Sequence, residues 1–285
     1  MEEPADIEVG VQDLGAVRVV VVDVRRLAEV GGRRLPFLRW SFLRSVLGLR
    51  WMPWSWQVGD GREMALAEYV EANARRGDID DVLWTIDDFA YRRSFLINIG
   101  DEKGEILDAA VQRAKPRLLL EVGAYCGYSA LRMARTMPEE AVLVSVELSA
   151  ANAAIARRVW QHAGVGHRVH ALVGSLGDGG QTLARLESEY GFTAGALDFV
   201  FLDHGVDDYV PDLERMINKA WLRPGSVVVA DNIRLPGAPE YRRYLREREG
   251  SAWRTVEHAT HLEYQTLLKD VMTESVYLGD SCSEA

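Results

Sequence analysis

Cysteine is scarce in this chain: its 285 residues include only two, Cys126 and Cys282, which lie far apart. The sequence therefore carries no disulfide framework, and we expect a reducing compartment. None of the six histidines has the paired spacing of a motif such as H-E-x-x-H, so a zinc site has little support. Basic residues are also in the minority, with 33 Lys and Arg against 43 Asp and Glu. A net charge of −10 argues against a nucleic-acid-binding face, which needs clustered positive charge.

Long hydrophobic runs are missing as well. The longest uncharged runs reach about ten residues, half of the ~20 that a membrane-spanning helix needs. The first residues are acidic, whereas a signal peptide begins with basic ones, so we expect a cytoplasmic protein. The hydrophobic content of 48% in a mass of 31.9 kDa is enough for a large core. Chain length favours one domain plus an extension.

A basic and aromatic segment lies between Glu29 and Asp60, a stretch without a single acid. Its arginines alternate with large apolar side chains, among them four tryptophans. Two interpretations stay open: the segment binds a membrane interface, or it packs as an arm on the protein's own core or on a second copy. Ahead of it, Val19–Val22 predicts one short strand of unknown partner. We assign residues 1–58 to an N-terminal extension and residues 59–285 to the main domain.

From Gly59 onward the pattern becomes that of an α/β protein. Helical periodicity over 65–73 and 79–92 precedes apolar strands that alternate with helix-like segments. The predicted strands are 117–122, 142–146, 170–173, 198–202 and 227–230, with two more at 253–257 and 275–278. This alternation predicts a parallel sheet with helices on both faces.

Four of these strands end in an acid. Ligands of open α/β sheets bind beyond the carboxyl ends of the strands, so the terminal residues are the ones to compare. The acids are Glu121, Glu147, Asp203 and Asp231, and Asn232 follows the last of them. A single acid at such a position is more often a solvated loop residue or a helix cap. Four at one edge of a sheet indicate a ligand site.

The first strand leads into a glycine-rich turn, Gly123-Ala124-Tyr125-Cys126-Gly127-Tyr128-Ser129. This turn lacks the G-x-G-x-x-G spacing that brings a backbone close to a pyrophosphate, and Glu121 before it would repel phosphate. Glu147, 26 residues further along, is placed like a carboxylate that binds ribose hydroxyls. A nucleoside with a positive charge and no diphosphate is implied. S-adenosylmethionine has these properties.

Asp203, Asp231 and Asn232 offer three oxygen ligands from two strand ends. Oxygen without nitrogen or sulfur is the ligand chemistry of Mg²⁺. A bound divalent cation lowers the pKa of an oxygen acid, which would help an aromatic hydroxyl to react with a sulfonium methyl. The alternative is that the two acids are helix caps and that Asn232 forms a turn.

Together the motifs resemble the Mg²⁺-dependent catechol O-methyltransferases. The resemblance covers residues 59–279 and rests on five motifs: Ile97-Asn98-Ile99-Gly100-Asp101, Glu121 to Ser129, Phe201-Leu202-Asp203-His204, Asp231-Asn232 with Pro236-Gly237, and Leu262-Glu263-Tyr264. It implies a Rossmann-like methyltransferase fold, a seven-stranded, mostly parallel sheet with the last strand reversed. The implied activity is methyl transfer from S-adenosylmethionine to a catechol, a small aromatic diol.

The resemblance also implies roles for individual residues. Cofactor binding falls to Ile99, Glu121, Gly123, Tyr125, Ser129, Glu147, Asp203 and His204. Mg²⁺ binding falls to Asp203, Asp231 and Asn232. The substrate is expected to meet Phe95, Pro236, Leu262 and Glu263, of which Glu263 would hold the second hydroxyl. Catalysis is expected to depend on Asp203, Asn232 and Glu263.

The main departure from the family concerns the general base. Gly205 and Val206 stand where the family has a tryptophan and then the catalytic lysine. Three interpretations remain: metal binding acidifies the hydroxyl enough for water to take the proton, Asp207 or Asp208 accepts it, or a different hydroxyl is methylated. A non-catalytic cofactor-binding protein that docks to a membrane or a partner is the alternative function.

Smaller departures surround the cofactor and the substrate. Leu176 and Gly177 replace polar residues that contact adenine in the family, and Phe95 replaces a tryptophan at the substrate rim. Arg234 replaces an apolar residue and favours an anionic substrate if it faces the site. The substrate, the cofactor and the metal remain expectations at this point.

Overall fold

The computed structural model describes residues 9–14, 17–22, 57 and 60–279. These residues contain nine strands in a single sheet. The strands are β1 (Val9–Leu14), β2 (Val17–Val22), β3 (Leu118–Val122), β4 (Val142–Glu147), β5 (Val169–Val173), β6 (Leu197–Leu202), β7 (Leu222–Ala230), β8 (Trp253–His261) and β9 (Lys269–Tyr277). Their spatial order is β1-β2-β8-β9-β7-β6-β3-β4-β5.

Eight helices accompany the sheet in the described part of the chain. They are α1 (Arg62–Asn73), α2 (Ile79–Arg92), α3 (Gly100–Ala114), α4 (Tyr128–Thr136), α5 (Ala150–His162), α6 (Gln181–Tyr190), α7 (Tyr209–Asn218) and α8 (Pro239–Glu247). Short helical turns at Val206–Asp208 and Ile233–Gly237 follow the ends of β6 and β7.

The direction of the strands confirms the predicted fold class. β3 to β7 are mutually parallel, whereas β9 runs antiparallel to both β7 and β8. The seven strands β3 to β9 thus form the expected mostly parallel sheet with its last strand reversed. The predicted strands and the two predicted helices are present, with ends that differ by a few residues.

Helices cover both faces, as the continuous apolar runs of the strands predict. Alternate residues of β3 and β6 point to opposite faces: Leu119 and Phe199 belong to one buried cluster, Leu120 and Val200 to the other. The first cluster includes side chains of α1 to α5, and the second includes side chains of α6, α7 and α8. All four strand residues named here are fully buried.

The strand predicted at Val19–Val22 lies within β2, and the structure supplies its missing partners. β2 pairs antiparallel with β1 and parallel with β8, where Val19 lies opposite Glu257. The β1–β2 hairpin therefore extends the sheet beyond the edge strand β8. The basic, aromatic segment predicted at 30–56 lies outside the described residues. No described helix is both long and apolar enough to cross a bilayer.

Gly123 allows the ends of β3 and β6 to approach each other closely. Its φ is +102°, and a Cβ atom built on it would lie 2.2 Å from the Asp203 carbonyl oxygen. Backbone hydrogen bonds connect the same region, from Asp203 N to Val122 O (2.9 Å) and from Gly123 N to Val146 O (2.9 Å). Glycine at this position therefore fixes how closely the acids at the strand ends can gather.

We expect Gly123→Ala to lower the free energy of unfolding by about 2–5 kcal/mol, because the cost of backbone strain is added to the cost of overpacking. Gly250→Ala is the matched control: its φ is +76° and no atom lies within 4 Å of the added Cβ. The control should lose only about 1 kcal/mol. Urea titration measures both, and equal losses would show that the close approach is unimportant.

Candidate functional site

The predicted acids meet at the carboxyl edge of the central strands. Glu121 lies in β3, Glu147 ends β4, Asp203 follows β6 and Asp231 follows β7. These strands are neighbours in the order β7-β6-β3-β4, so the four residues form one row. Backbone hydrogen bonds hold the row together, including that from Asp231 N to Leu202 O (3.1 Å).

Glu121 is fully buried and is held by two hydroxyl groups. Ser129 Oγ donates to Glu121 Oε1 (2.5 Å), and the Ser145 hydroxyl donates to the other carboxylate oxygen. Burial raises the pKa of Glu121 to about 7 and outweighs the two hydrogen bonds, which lower it. This half of the predicted cofactor site thus contains a carboxyl group whose charge is costly, because no hydrogen bond or ion pair joins it to a Lys, Arg or His of the described residues.

Glu147 closes the glycine-rich turn onto the end of β4. Its Oε2 accepts from the backbone N–H groups of Ala124 (3.1 Å) and Tyr125 (2.9 Å), and its Oε1 accepts from Ser149 N (2.7 Å). Tyr125 has a φ of +46°, and its hydroxyl donates to Glu63 Oε1 (2.9 Å) on α1. Burial raises the pKa of this carboxylate, whereas the backbone hydrogen bonds and one to the Asn152 side chain lower it. The carboxylate thus fixes the turn at the end of β4.

Two other predicted cofactor residues lie on either side of this row. Ile99 is buried and caps the N-terminus of α3. His204 Nε2 lies 3.0 Å from Asp212 Oδ2, but neither ring nitrogen forms a well-aligned hydrogen bond to a described residue. Leu176, at the expected adenine position, is buried in the core cluster of α6 and α7.

Lys103 is the residue that sequence reasoning missed. This lysine of α3 is fully buried, and its Nζ lies 2.9 Å from Asp231 Oδ1, 2.9 Å from Glu263 Oε1 and 2.8 Å from Asp270 Oδ2. Burial alone would lower the pKa of Lys103, but the three carboxylates, Asp231 first, raise it well above its usual value. The ammonium group therefore stays charged at the centre of the predicted metal and substrate residues.

A pattern in α3 could have revealed this lysine. Ile106, Leu107, Ala110 and Val111 are the buried apolar stripe of the helix, and Lys103 lies on the same stripe one turn earlier. A lysine in such a position is rarely buried without a partner of opposite charge. No comparable signal marks Asp270, because its role depends on the long-range contact between β9 and α3.

Negative charge still exceeds positive charge at this end of the site. Asp231, Glu263 and Asp270 contact the ammonium of Lys103, and Asp203 is a fourth acid, whose carboxylate forms no hydrogen bond or ion pair with a described residue. Burial and then repulsion from Asp231 raise the pKa of Asp203 well above its usual value. Burial also raises the pKa of Asp231, to about 6. A further cation would stabilise this arrangement.

Asn232 follows Asp231 directly, and its hydrogen bonds to described residues use its two nitrogen atoms and not its side-chain oxygen. Its backbone is left-handed (φ 58°), its Nδ2 donates to Leu235 O (3.1 Å), and its backbone N–H donates to Asp231 Oδ1 (2.6 Å). The amide oxygen is left for a ligand. Two carboxylates and one amide oxygen have the oxygen chemistry that Mg²⁺ prefers, so the donor set fits. In the described ranges, no group of three or more His, Cys, Asp or Glu side chains is arranged to hold a metal ion.

The predicted substrate residues are divided between a buried and an exposed set. Glu263 is 10% exposed beside Lys103, and Phe95 is buried with its ring edge-on to Tyr264 at 6.4 Å. Pro236 and Arg234 are exposed on the turn after β7. Asp270 Oδ1 holds that turn through the backbone N–H groups of Arg234 (3.0 Å) and Leu235 (2.9 Å).

Leu262, the remaining residue of the predicted substrate rim, follows β8 directly and is half-buried. Its backbone N–H donates to Leu268 O (2.8 Å), which closes the loop that carries Glu263. Asp207 and Asp208, which one of the three interpretations makes the base, are exposed at the turn after β6, and Val206 directly before them is half-buried. The structure thus brings Glu263 to the acids of the sheet edge and leaves Asp207 and Asp208 in solvent.

The strand order and the acidic carboxyl edge define a Rossmann-like methyltransferase fold. Comparison with solved structures agrees: an O-methyltransferase of Bacillus cereus, determined in complex with SAH, superposes with a TM-score of 0.56. That match covers 83% of this chain and 99% of the other at 18% sequence identity, so it speaks for the fold alone.

Sequence comparison identifies the family. Residues 80–240 match the model of the O-methyltransferase family. A probable O-methyltransferase of Mycobacterium tuberculosis is 59% identical over 81% of this chain and 99% of its own length. The catechol O-methyltransferase of the mouse is 36% identical over 79% of this chain and 82% of its own length. The chain belongs to the O-methyltransferase family, which confirms the resemblance seen in its motifs.

The raised pKa of Glu121 predicts a pH-dependent contribution to stability. The folded carboxyl group keeps its proton up to about pH 7, whereas the unfolded chain loses it near its ordinary pKa of 4.5. The contribution is therefore complete below pH 4.5 and is lost as the pH rises through 7. We expect Glu121→Gln, which stays neutral, to gain about 2–3 kcal/mol relative to wild type between pH 5 and 8. Denaturant titration at both pH values measures the gain, and the exposed Glu140→Gln should show none.

Proposed function

We propose that this protein is an O-methyltransferase that uses S-adenosylmethionine and a divalent metal ion, Mg²⁺, to methylate one hydroxyl of a catechol-type aromatic diol. The observation that carries the proposal is a group of buried acids: Asp231 and Glu263 contact Lys103, and the nearby carboxylate of Asp203 forms no hydrogen bond or ion pair with a described residue. Oxygen donors for a cation thus lie beside a carboxylate that can accept from a hydroxyl.

The cofactor proposal rests on the residues of β3 and β4. Glu121 is buried, and among the described residues only hydroxyl groups form hydrogen bonds to its carboxylate, which favours a cationic ligand over a phosphate. Glu147 ends β4, where we expect the ribose hydroxyls, and three backbone N–H groups and the Asn152 side chain hold its carboxylate in place. The Bacillus cereus structure holds SAH, the product that S-adenosylmethionine leaves after transfer. These points support S-adenosylmethionine at this edge of the sheet.

The substrate proposal rests on the grouping of several oxygen donors rather than on any one of them. Asp203 and Asn232 would hold a divalent ion, which lowers the pKa of a hydroxyl bound to it. Glu263 would accept a hydrogen bond from the neighbouring hydroxyl and keep the aromatic ring in one orientation. Methyl transfer forms an oxygen–carbon bond and breaks a carbon–sulfur bond, while the hydroxyl proton leaves. The transfer also removes the positive charge of the sulfonium. A site closed to water favours a reaction that removes charge.

Because residue 206 is valine, the family's lysine is not present to accept this proton. Asp207 and Asp208 are exposed at the start of α7, and a carboxylate is a weak base for a phenol. We infer that solvent water accepts the proton, at a cost of about 10²–10⁴ in rate relative to a positioned general base.

One observation favours a second candidate function, a non-catalytic protein that binds the cofactor. Lys103 already supplies a cation to both carboxylate oxygens of Asp231, which reduces the capacity of Asp231 to bind a metal ion. Calorimetry and turnover assays with the same preparation separate the two functions. Tight binding of S-adenosylmethionine without methyl transfer to any catechol would support this alternative.

Asp203→Ala should reduce methyl transfer to a catechol by at least about 10³-fold, because an oxygen donor that holds the reacting group in place is lost. Product formation is measured by mass spectrometry with S-adenosylmethionine, with and without Mg²⁺. Asp80→Ala, which removes an acid that is 77% exposed, is the control and should retain wild-type turnover. Wild-type rates that persist after chelation of Mg²⁺ would refute the metal role.

Val206→Lys should raise kcat about 10²–10⁴-fold near neutral pH, because it restores an amine where the family carries its base. Val206→Met introduces a side chain about as long as that of lysine but without a basic group. This variant should leave kcat close to that of wild type. The pH dependence of kcat distinguishes a true base from a change in packing, since only the lysine variant should gain a new ionisation. No gain in the lysine variant would mean that the proton leaves by another path.

A further inference from the structure

The ammonium of Lys103 joins helix α3 to three acids at one edge of the sheet. Asp231 follows β7, Glu263 lies in the loop between β8 and β9, and Asp270 belongs to β9, whereas Lys103 belongs to α3. Its contacts span 128 to 167 positions of the sequence, from Asp231 to Asp270. One buried side chain therefore joins the loop with the proposed substrate carboxylate to the strand end with the proposed metal ligands.

The three N–H groups of this ammonium are matched by three carboxylates. Distances of 2.8 to 2.9 Å to Asp231, Glu263 and Asp270 leave no N–H group over for a substrate. A lysine in this state is a poor proton acceptor, since the one lone pair of its nitrogen is already bonded to a proton. Lys103 thus does not replace the lysine that is missing at Val206. Its effect must pass through the acids that it holds.

We propose that Lys103 is a positioning residue for the substrate: it fixes the Glu263 carboxylate relative to Asp231 and thereby makes the site selective for two adjacent hydroxyls. This inference rests on the proposed function. Glu263 Oε1 is held by Lys103, so the remaining oxygen is the one that can accept from a substrate hydroxyl. The distance between that oxygen and the donors at Asp203 and Asn232 is then a property of the fold and not of a flexible loop.

Asp270 extends the same positioning to the exposed wall of the site. While its Oδ2 accepts from Lys103, its Oδ1 accepts from the backbone of Arg234 and Leu235. Pro236 follows directly, so the wall that the family places beside the ring is tied to the same ammonium. Moving or removing the charge of Lys103 should therefore alter how a ring is oriented more than how fast a correctly oriented ring reacts.

The test is a double-mutant cycle with Lys103→Met and Glu263→Gln, assayed with 3,4-dihydroxybenzoate in the presence of S-adenosylmethionine and Mg²⁺. The readouts are KM, kcat and the ratio of 3-O-methyl to 4-O-methyl product. We expect each single variant to raise KM about tenfold or more and to move the product ratio toward one, because both disturb the same carboxylate. The double variant should be within about twofold of Glu263→Gln alone, since coupled residues do not act additively.

Two further variants separate positioning from folding. Lys219→Met, which removes an exposed lysine paired with Glu187, is the matched control and should match wild type in KM and product ratio. Lys103→Arg keeps the charge and should recover part of the KM loss, yet its planar fork should leave the product ratio altered. If Lys103→Met does not fold, as judged by circular dichroism, the same cycle is run with Lys103→Arg.

Each remaining outcome decides the question. Effects of Lys103→Met and Glu263→Gln that multiply in the double variant, or an unchanged product ratio in folded Lys103→Met, would overturn the positioning role while the proposed function stands. A wild-type protein that methylates no catechol would overturn the proposed function and, with it, the inference that rests on it. Thermal stability of all variants is measured alongside, so that loss of fold is not counted as loss of positioning.

Discussion

A single lysine ammonium among three buried carboxylates is the interaction on which the organisation of this site depends. A buried charge without a partner is costly, so Lys103 and the acids around it depend on one another to remain charged in the folded protein. Removal of one member would leave the others exposed to mutual repulsion in a region with little water. The cluster also joins α3 to the strand ends and to the loop after β8. A change in the charges of the cluster would therefore also change how these distant elements pack.

The acids of the site are gathered by the sheet rather than by the loops that carry them. Parallel strands place their carboxyl ends at one edge, and short backbone hydrogen bonds between Gly123, Asp203 and Asp231 and the neighbouring strands keep those ends in register. The glycine at position 123 removes the side chain that would push β3 and β6 apart. The negative charge that results is greater than one lysine can balance, which is the physical basis for expecting a metal ion and a cationic cofactor at the same edge.

Position 206 carries valine where the family has lysine, and this difference would make proton removal the unassisted step of the proposed reaction. In a site with a positioned base, proton removal and methyl transfer are both assisted by the protein. Under the proposed function, the chain retains the groups that would orient two hydroxyls and has valine where the resemblance implies the lysine that takes the proton. Orientation by Glu263 and acidification at Asp203 and Asn232 then carry a larger share of the proposed rate enhancement, and the reaction should favour diols with an acidic hydroxyl. The buried carboxylates make such a site sensitive to any change in net charge.

The sequence by itself determined the class of fold, the row of acids at strand ends and the family. Apolar periodicity and strand-terminal residues are local properties, so they can be recognised from the order of the amino acids alone. The sequence also placed Val206 at the position where the resemblance implies the family's catalytic lysine. Only the tertiary structure decided that Lys103 and Asp270 belong to the site and that the β1–β2 hairpin extends the edge at β8. These features depend on contacts between residues more than a hundred positions apart, as from Lys103 to Asp231, and no local pattern specifies which distant partner a buried charge will meet.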